Sequence, residues 1–256
     1  MSTPIDISEQ AGVRYLHFGS EWVQGAMRVR KPNALELAYT REMMAGLLLR
    51  DGLPGDGGRW PAQVLIVGLG AASLLRFVHH HYPNARIRVV EIAPTVVAAA
   101  RQFFRLPAES AQLSIHIGCG AQYMLQDGPR FDYILVDGYD RNARAGALNT
   151  LPFYQAVRAR LSERGLMAVN LFGRARGYKA SVERIAQAFE GRMLAFPSCD
   201  SGNVVAFAAS GEPVLRSAGE LRERAHTLKA ACGLDLLATV SRLEEAGSLP
   251  GGQLQL

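Results

Sequence analysis

Two carboxylates three residues apart offer the plainest chemistry in the chain, in Asp137-Gly138-Tyr139-Asp140. In a cleft, such a pair could bind an amine, hold it in place and accept its proton. It could equally ligate a metal or close an Asx-turn. A second candidate is Glu91, which ends an apolar run 23 residues after Gly68. An acid there can accept both hydroxyls of a ribose, or it can cap the helix that follows. The third is Gly68-Leu69-Gly70-Ala71-Ala72-Ser73. Glycines let the backbone turn sharply and approach a ligand, and N–H groups at a helix start favour a polar or anionic group. Two glycines alone also describe an ordinary strand-to-helix turn. Tyr139 could pack on a substrate or a purine, and Gln122 and Tyr123 could reach a nucleoside from a neighbouring loop.

Other residue types are uninformative. His79-His80-His81 looks like a metal site, but consecutive helix residues point in different directions and do not converge on one ion. No metal is expected. Cys119, Cys199 and Cys232 are too few and too far apart for a disulfide framework or a zinc site. The net charge of +5 and the pI near 9.3 invite a nucleic-acid reading. The basic residues are scattered, however, and no aromatic ladder accompanies them, so nucleic acid is not the expected partner.

Elements must place these residues together, and the chain supplies them. Val13 to Phe18 and Trp22 to Val29 alternate apolar and polar side chains and predict a hairpin around Gly19-Ser20. Leu35 to Leu49 has helical spacing, and Asp51 to Pro61 reads as a loop. Strands are then predicted at Gln63 to Val67, Arg86 to Glu91, Leu113 to Ile117, Tyr133 to Val136 and Leu166 to Leu171. Helices are predicted between them at Ala72 to His81, Pro94 to Phe104 and Pro152 to Leu161. After the helix Tyr178 to Phe189, Arg192 to Pro197 and Asn203 to Ala209 read as an antiparallel pair closing the sheet. Alternating strands and helices imply a mostly parallel sheet covered on both faces. Ligands then bind beyond the carboxyl ends of the strands, at Gly68 to Ser73, Glu91, Gly118 to Ala121 and Asp137 to Asp140.

The expected organisation has three parts. Residues 1–50 form a short hairpin and helix, 60–212 a Rossmann-like nucleoside-binding domain, and 213–256 a helical extension. Ser217 to Ala246 reads as two helices, and the Gly- and Pro-rich tail Gly247 to Leu256 is expected to fray. Hydrophobic residues make up 48% and charged residues 20%, ordinary for a globular protein. No apolar run reaches the roughly 18 residues that span a bilayer. Met1 to Gln10 lacks the basic start and apolar core of a signal peptide. A cytoplasmic protein without a membrane partner is expected.

These residues resemble the spermidine synthases, the polyamine aminopropyltransferases, from about Trp22 to Phe172 and best from Val64 to Val169. Val64-Leu65-Ile66-Val67-Gly68-Leu69-Gly70 looks like the family's first nucleoside-binding strand and loop. Arg88-Val89-Val90-Glu91-Ile92 looks like its strand ending in the ribose-binding acid. Phe131-Asp132-Tyr133-Ile134-Leu135-Val136-Asp137-Gly138-Tyr139-Asp140 resembles its Asp-x-x-Asp strand. Leu151-Pro152-Phe153-Tyr154 and Leu161-Ser162-Glu163-Arg164-Gly165-Leu166 fit the helix and strand that follow.

The resemblance implies an α/β, Rossmann-like S-adenosylmethionine-dependent methyltransferase fold: a mostly parallel seven-stranded sheet with an antiparallel last strand and a small N-terminal β-hairpin. It implies polyamine biosynthesis, with an aminopropyl group passing from decarboxylated S-adenosylmethionine to a di- or polyamine. No cofactor would be bound permanently; the decarboxylated or intact nucleoside would be a co-substrate. Asp137 would be base or amine anchor, and Asp140 would help bind the amine. Gly68, Gly70, Glu91, Ile92, Gly118, Cys119, Gly120 and Ala121 would hold the nucleoside. Tyr139, Gln24 and Tyr39 would meet the acceptor, the last two in segments echoing the family's hairpin and its tyrosine-histidine-glutamate stretch. A homodimer is expected.

Three positions depart from the family pattern. Ala71 stands where an aspartate holds the donor's amine, and Cys119 stands where an aspartate meets the adenine. The loop after Asp140 reads Arg141-Asn142-Ala143-Arg144 rather than proline-glycine. Two other readings follow. One is a methyltransferase using intact S-adenosylmethionine, since losing the acid at Ala71 removes repulsion toward the methionine carboxylate. The other is a non-catalytic nucleoside-binding relative.

Overall fold

Three antiparallel strands come first: β1 (Asp6–Gln10), β2 (Val13–His17) and β3 (Val23–Arg28). The computed structural model describes residues 4–54, 60–140, 144–199 and 202–256. β2 and β3 are the expected hairpin. β1 is largely exposed and lacks apolar alternation; it joins by pairing with the free edge of β2 from Asp6 opposite His17 to Gln10 opposite Val13.

The helix expected over Leu35 to Leu49 is broken into α1 (Ala38–Met43) and α2 (Gly46–Leu49). The cause lies outside the segment. The buried Tyr133 hydroxyl donates to the Met43 carbonyl and accepts from the Gly46 N–H at 3.2 Å. The phenol thus takes the backbone groups that a continuous helix would have paired. Any side chain at 46 would collide with it, since a Cβ there would lie 2.4 Å from the hydroxyl.

Next come β4 (Gln63–Val67), α3 (Ser73–His81), β5 (Arg86–Glu91), α4 (Pro94–Phe103), β6 (Leu113–Ile117), α5 (Gly120–Leu125) and β7 (Phe131–Val136). After them come α6 (Leu151–Ala159), β8 (Leu161–Phe172), α7 (Tyr178–Ala188), β9 (Met193–Ala195) and β10 (Asn203–Ala209). The seven strands lie in the order β6-β5-β4-β7-β8-β10-β9. The first five are parallel, and β10 runs antiparallel between β8 and β9. The run Val64 to Val67 is apolar without alternation and buried, as a central strand covered on both faces must be. Strand order reverses between β4 and β7, which opens a crevice at their carboxyl ends.

The helices start where the sequence allows. Pro94 opens α4, and the Thr150 hydroxyl accepts from the Phe153 N–H at the start of α6. α5 was not expected: Gly118 to Ala121 reads as a loop, yet helix begins at Gly120.

The chain closes with β11 (Leu215–Ser217), α8 (Ala218–Cys232), α9 (Leu237–Glu245) and β12 (Gln253–Gln255). Ser217 and Glu220 form a reciprocal capping box on α8. The tail does not fray as composition suggests. β12 pairs with β11, and Leu254 and Leu256 are buried. Alternation at 254 and 256 was the overlooked signal, because two anchored apolar side chains outweigh a Gly-rich approach. One hydrophobic core joins Leu16 and Met27 of the N-terminal sheet, Met43 and Leu47, one sheet face, and Leu221, Leu228 and Val240 of the C-terminal helices.

Candidate functional site

The carboxyl ends of the central strands floor a cavity of about 550 Å³. Main-chain bonds knit its floor together. Gly68 N–H donates to Val90 O, Asp137 N–H to Val67 O and Gly118 N–H to Glu91 O, at 2.8–2.9 Å. Gly68 has φ +94°, and a Cβ there would lie 2.2 Å from the Asp137 carbonyl oxygen. Glycine is therefore required both by the left-handed backbone and by the approach of β7. Gly70 also has positive φ and turns against the Gln24 carbonyl.

Glu91 is 7% exposed, with both oxygens facing backbone donors. Oε2 accepts from Leu69 N–H at 2.8 Å and Oε1 from Ala93 N–H at 2.9 Å. The carboxylate thus shapes the glycine loop and leads into α4 while it lines the cavity. Each oxygen keeps a lone pair for a ligand hydroxyl. Burial pushes this carboxyl above the ordinary range, and the backbone N–H bonds oppose the rise.

Asp137 is a part-buried acid lining the same cavity. Its Oδ2 accepts from the Tyr39 hydroxyl at 3.1 Å and its Oδ1 from Asn170 Nδ2 at 3.0 Å. Burial raises its pKa, while the bonds from Asn170 and Tyr39 pull it back. Burial and the neighbouring Asp137 charge push the Tyr39 phenol well up, so Tyr39 stays a neutral donor. Asn170 is 4% exposed, and its Oδ1 has no hydrogen-bond partner. The residue lies beside the carboxylate in the cavity wall. Tyr139 donates to the Asn170 carbonyl and packs on Phe172 at 4.6 Å between ring centroids. Trp22 meets the edge of Phe172.

Asp140 has the turn role that its sequence also allowed. Its Oδ1 accepts from Arg144 N–H at 2.9 Å, and its own N–H donates to Arg144 O. It also lines the cavity. Arg141, Asn142 and Ala143 lie outside the described residues.

Most sequence-selected residues meet here. Gly68, Gly70, Glu91, Ile92, Cys119 and Gly120 line one side; Gln24, Tyr39, Asp137, Tyr139 and Asp140 also line the cavity. Gly118 and Ala121 are not among the lining residues, since Gly118 is occupied beneath with Glu91 and Ala121 is turned into the core under α5. Tyr123 also points elsewhere. Its hydroxyl accepts from Arg88 at 2.9 Å and its ring lies under the Arg160 guanidinium. Ala71 is buried against Gly25, where a Cβ would come within 2.6 Å of the Ala71 methyl. Among the described residues no three His, Cys, Asp or Glu side chains gather to hold a metal, and no helix is long and apolar enough to cross a membrane.

Asn170 was missed, though a signal existed. It is the polar residue in the apolar run Leu166 to Leu171. Val136 pairs with Val169, so the residue after each strand partner, Asp137 and Asn170, must stand side by side.

Three comparisons bear on this geometry. The family profile described as the spermine/spermidine synthase domain matches residues 37–187. A polyamine aminopropyltransferase of Chromobacterium violaceum is 35% identical over 250 residues, covering 98% of this chain and 93% of the relative. Among solved structures, a probable spermidine synthase from Corynebacterium glutamicum superposes with a TM-score of 0.71 at 18% identity, covering 90% of this chain and 91% of that one. Human methyltransferase-like protein 13 in complex with SAH superposes with a TM-score of 0.67 at 27% identity, covering 77% and 93%.

Proposed function

The chain belongs to the spermine/spermidine synthase family, and from that premise we propose that it transfers an aminopropyl group from decarboxylated S-adenosylmethionine to a di- or polyamine. One observation carries the reading. A part-buried carboxylate, Asp137, held by Tyr39 and Asn170, shares a cavity with Glu91 and the Gly68–Gly70 turn.

The chemistry follows from charge. An aliphatic amine is protonated near neutral pH, with an ordinary pKa of about 10, and must lose a proton before it attacks. Asp137 anchors the ammonium and takes that proton, and burial makes it a stronger base than an exposed carboxylate. The amine nitrogen then forms a bond to the carbon beside the sulfonium. The carbon–sulfur bond breaks, its electron pair stays on sulfur, and 5′-methylthioadenosine leaves neutral. Asn170, through its Nδ2 bond to Oδ1 of Asp137, helps aim the carboxylate at that amine. Tyr39 keeps Asp137 ionised and aimed. Asp140 and Tyr139 form the outer part of the acceptor site. Gly68, Gly70, Glu91, Ile92, Cys119 and Gly120 take the nucleoside, Glu91 through its ribose hydroxyls, with Gly118 and Ala121 supporting them from beneath. Gln24, like Tyr39 and Tyr139, meets the acceptor.

Incubation with decarboxylated S-adenosylmethionine and a panel of diamines tests the proposal. Release of 5′-methylthioadenosine with at least one amine is expected; none with any amine overturns it. A second reading, methyl transfer from the intact nucleoside, is favoured by Ala71, by the likeness to human methyltransferase-like protein 13 and by nothing in the acceptor half. Calorimetry with both nucleosides separates the two, since tighter binding of the intact form favours methyl transfer. The division at 1–50, 60–212 and 213–256, a homodimer and a cytoplasmic location belong to the same proposal. Limited proteolysis, sedimentation velocity and cell fractionation test them.

A further inference from the structure

Tyr39 sits on α1, a helix of six residues with no side-chain cap at its N-terminus. A helix so short has little stability of its own, and what it packs on sets its direction. Two of its other side chains make only local polar contacts: Thr40 donates to Leu37 O, and Arg41 donates to Leu35 O and Glu36 O, while the Met43 carbonyl at the end of the helix accepts from Tyr133. Glu42 reaches further. It lies three residues after Tyr39, on a neighbouring part of the same helix surface, and its side chain is 2% exposed. A buried carboxylate needs a counter-charge. Arg242 of α9 supplies it, 200 residues away, through an ion pair to Glu42 Oε2. Thr239, one turn earlier on α9, donates to the same oxygen at 3.5 Å.

We infer that the C-terminal helices position the acceptor site: the Arg242–Glu42 pair fixes α1 and thereby aims the Tyr39 hydroxyl at Asp137. Arg242 is thus a positioning residue acting through Glu42 and Tyr39. The contacts run without a gap from α9 to the cavity, as Arg242 to Glu42, α1, Tyr39 and Asp137. Neither Glu42 nor Arg242 lines the cavity, so no direct contact with substrate competes with this account. The activity readout rests on the aminopropyl-transfer reading; the stability readout does not.

A double-mutant cycle tests it. Arg242→Ala is expected to lower kcat/KM about tenfold, the scale of a hydrogen bond to a charged group. Tyr39→Phe should do the same, and the double variant should lose little more than either single one. Arg242→Lys, which keeps the charge, should recover most of the activity. Arg222→Ala removes an exposed pair between α8 and α9, Arg222 with Glu244, and should leave kcat/KM unchanged. Losses that multiply in the double variant, or an equal loss in Arg222→Ala, overturn the inference. Should Arg242→Ala fail to fold, Arg242→Gln replaces it in the same cycle. Thermal unfolding of the four proteins gives an activity-free version: non-additive midpoints support the coupling and additive ones overturn it. An enzyme inert toward every amine would sink the functional reading while leaving that second cycle decisive.

Discussion

The two halves of the cavity are built differently. The nucleoside half is short in sequence and made largely of backbone. Leu69 and Glu91, 22 residues apart, are joined by one N–H bond, and Gly68 and Gly118 are tied by main-chain bonds to neighbouring strands. The acceptor half is made of side chains from distant segments. Tyr39 and Asp137 are 98 residues apart, Asn170 and Asp137 are 33 apart, and α9 braces α1 from 200 residues away. A backbone site tolerates side-chain drift such as Ala71 and Cys119. A side-chain site fails one residue at a time, and substitution can show which half obeys which rule.

The largest effect is expected at Asp137. Asp137→Asn removes the proposed base and should lower kcat/KM by roughly 10³, within the range for general-base loss. Binding of 5′-methylthioadenosine, measured by calorimetry, should stay within about threefold, because the loss is confined to one half. Stability should move the other way. The folded pKa of Asp137 is raised, so at pH above that value the buried charge costs stability. The cost fades as pH falls through the folded pKa toward the unfolded one. Asn at 137 should therefore melt higher than Asp at pH 8 and no higher at the acid end. Tyr39 can rotate its hydroxyl to accept from the new amide. A lower melting temperature for the variant at pH 8 would contradict this account of the burial.

Gly68→Ala comes next and breaks both halves at once. The added Cβ would meet the Asp137 carbonyl in a left-handed backbone, for a loss of about 2–4 kcal/mol in denaturant unfolding. Nucleoside binding and turnover should fall together, whereas Asp137→Asn separates them.

Tyr39→Phe is a smaller change with a distinctive sign. It removes a donor that favours the ionised form of Asp137. The carboxyl pKa rises further, and the acid limb of the kcat/KM profile moves to higher pH, with about a tenfold loss at the old optimum. An unmoved limb would mean that ionisation of Asp137 does not set the acid side of the profile.

The same contrast explains what the sequence made legible. Strand-ending acids, the glycine turn and Pro94 at a helix start are local signals, and each lies where expected. Asp137 and Glu91 meet because both end adjacent parallel strands around β4. The breaks came from contacts that no local window contains. Tyr133 splits a helix that its own sequence would continue. Leu254 and Leu256 anchor a tail that its glycines would loosen. Asn170 was hidden for the same reason, since its meaning depends on the register of β8 against β7. The brace from Arg242 to Glu42 has no pattern at all in one sequence.

Cys119→Asp is the gentlest test and probes the tolerant half. Cys119 occupies the N-cap of α5 in extended geometry (φ −74°, ψ 120°) and makes no capping bond. An aspartate accepts well from the N–H groups of a first helical turn, typically for about 1 kcal/mol, which in a protein of this size raises the melting temperature by roughly 2–4 °C. The residue also lines the cavity, so the new carboxylate could instead accept from the adenine amine, a bond that sulfur makes poorly. Calorimetry with 5′-methylthioadenosine and with 5′-methylthioinosine, which lacks that amine, tells the two apart. Tighter binding of the adenine compound alone, by about three- to tenfold, assigns the carboxylate to the ligand. A raised melting temperature with equal affinities assigns it to the helix. Either gain fits a half whose backbone frame stands ready for interchangeable side chains. Weaker binding of both nucleosides would mean that the thiol is itself a fitted part, and that the nucleoside half is as exacting as the one across the cavity.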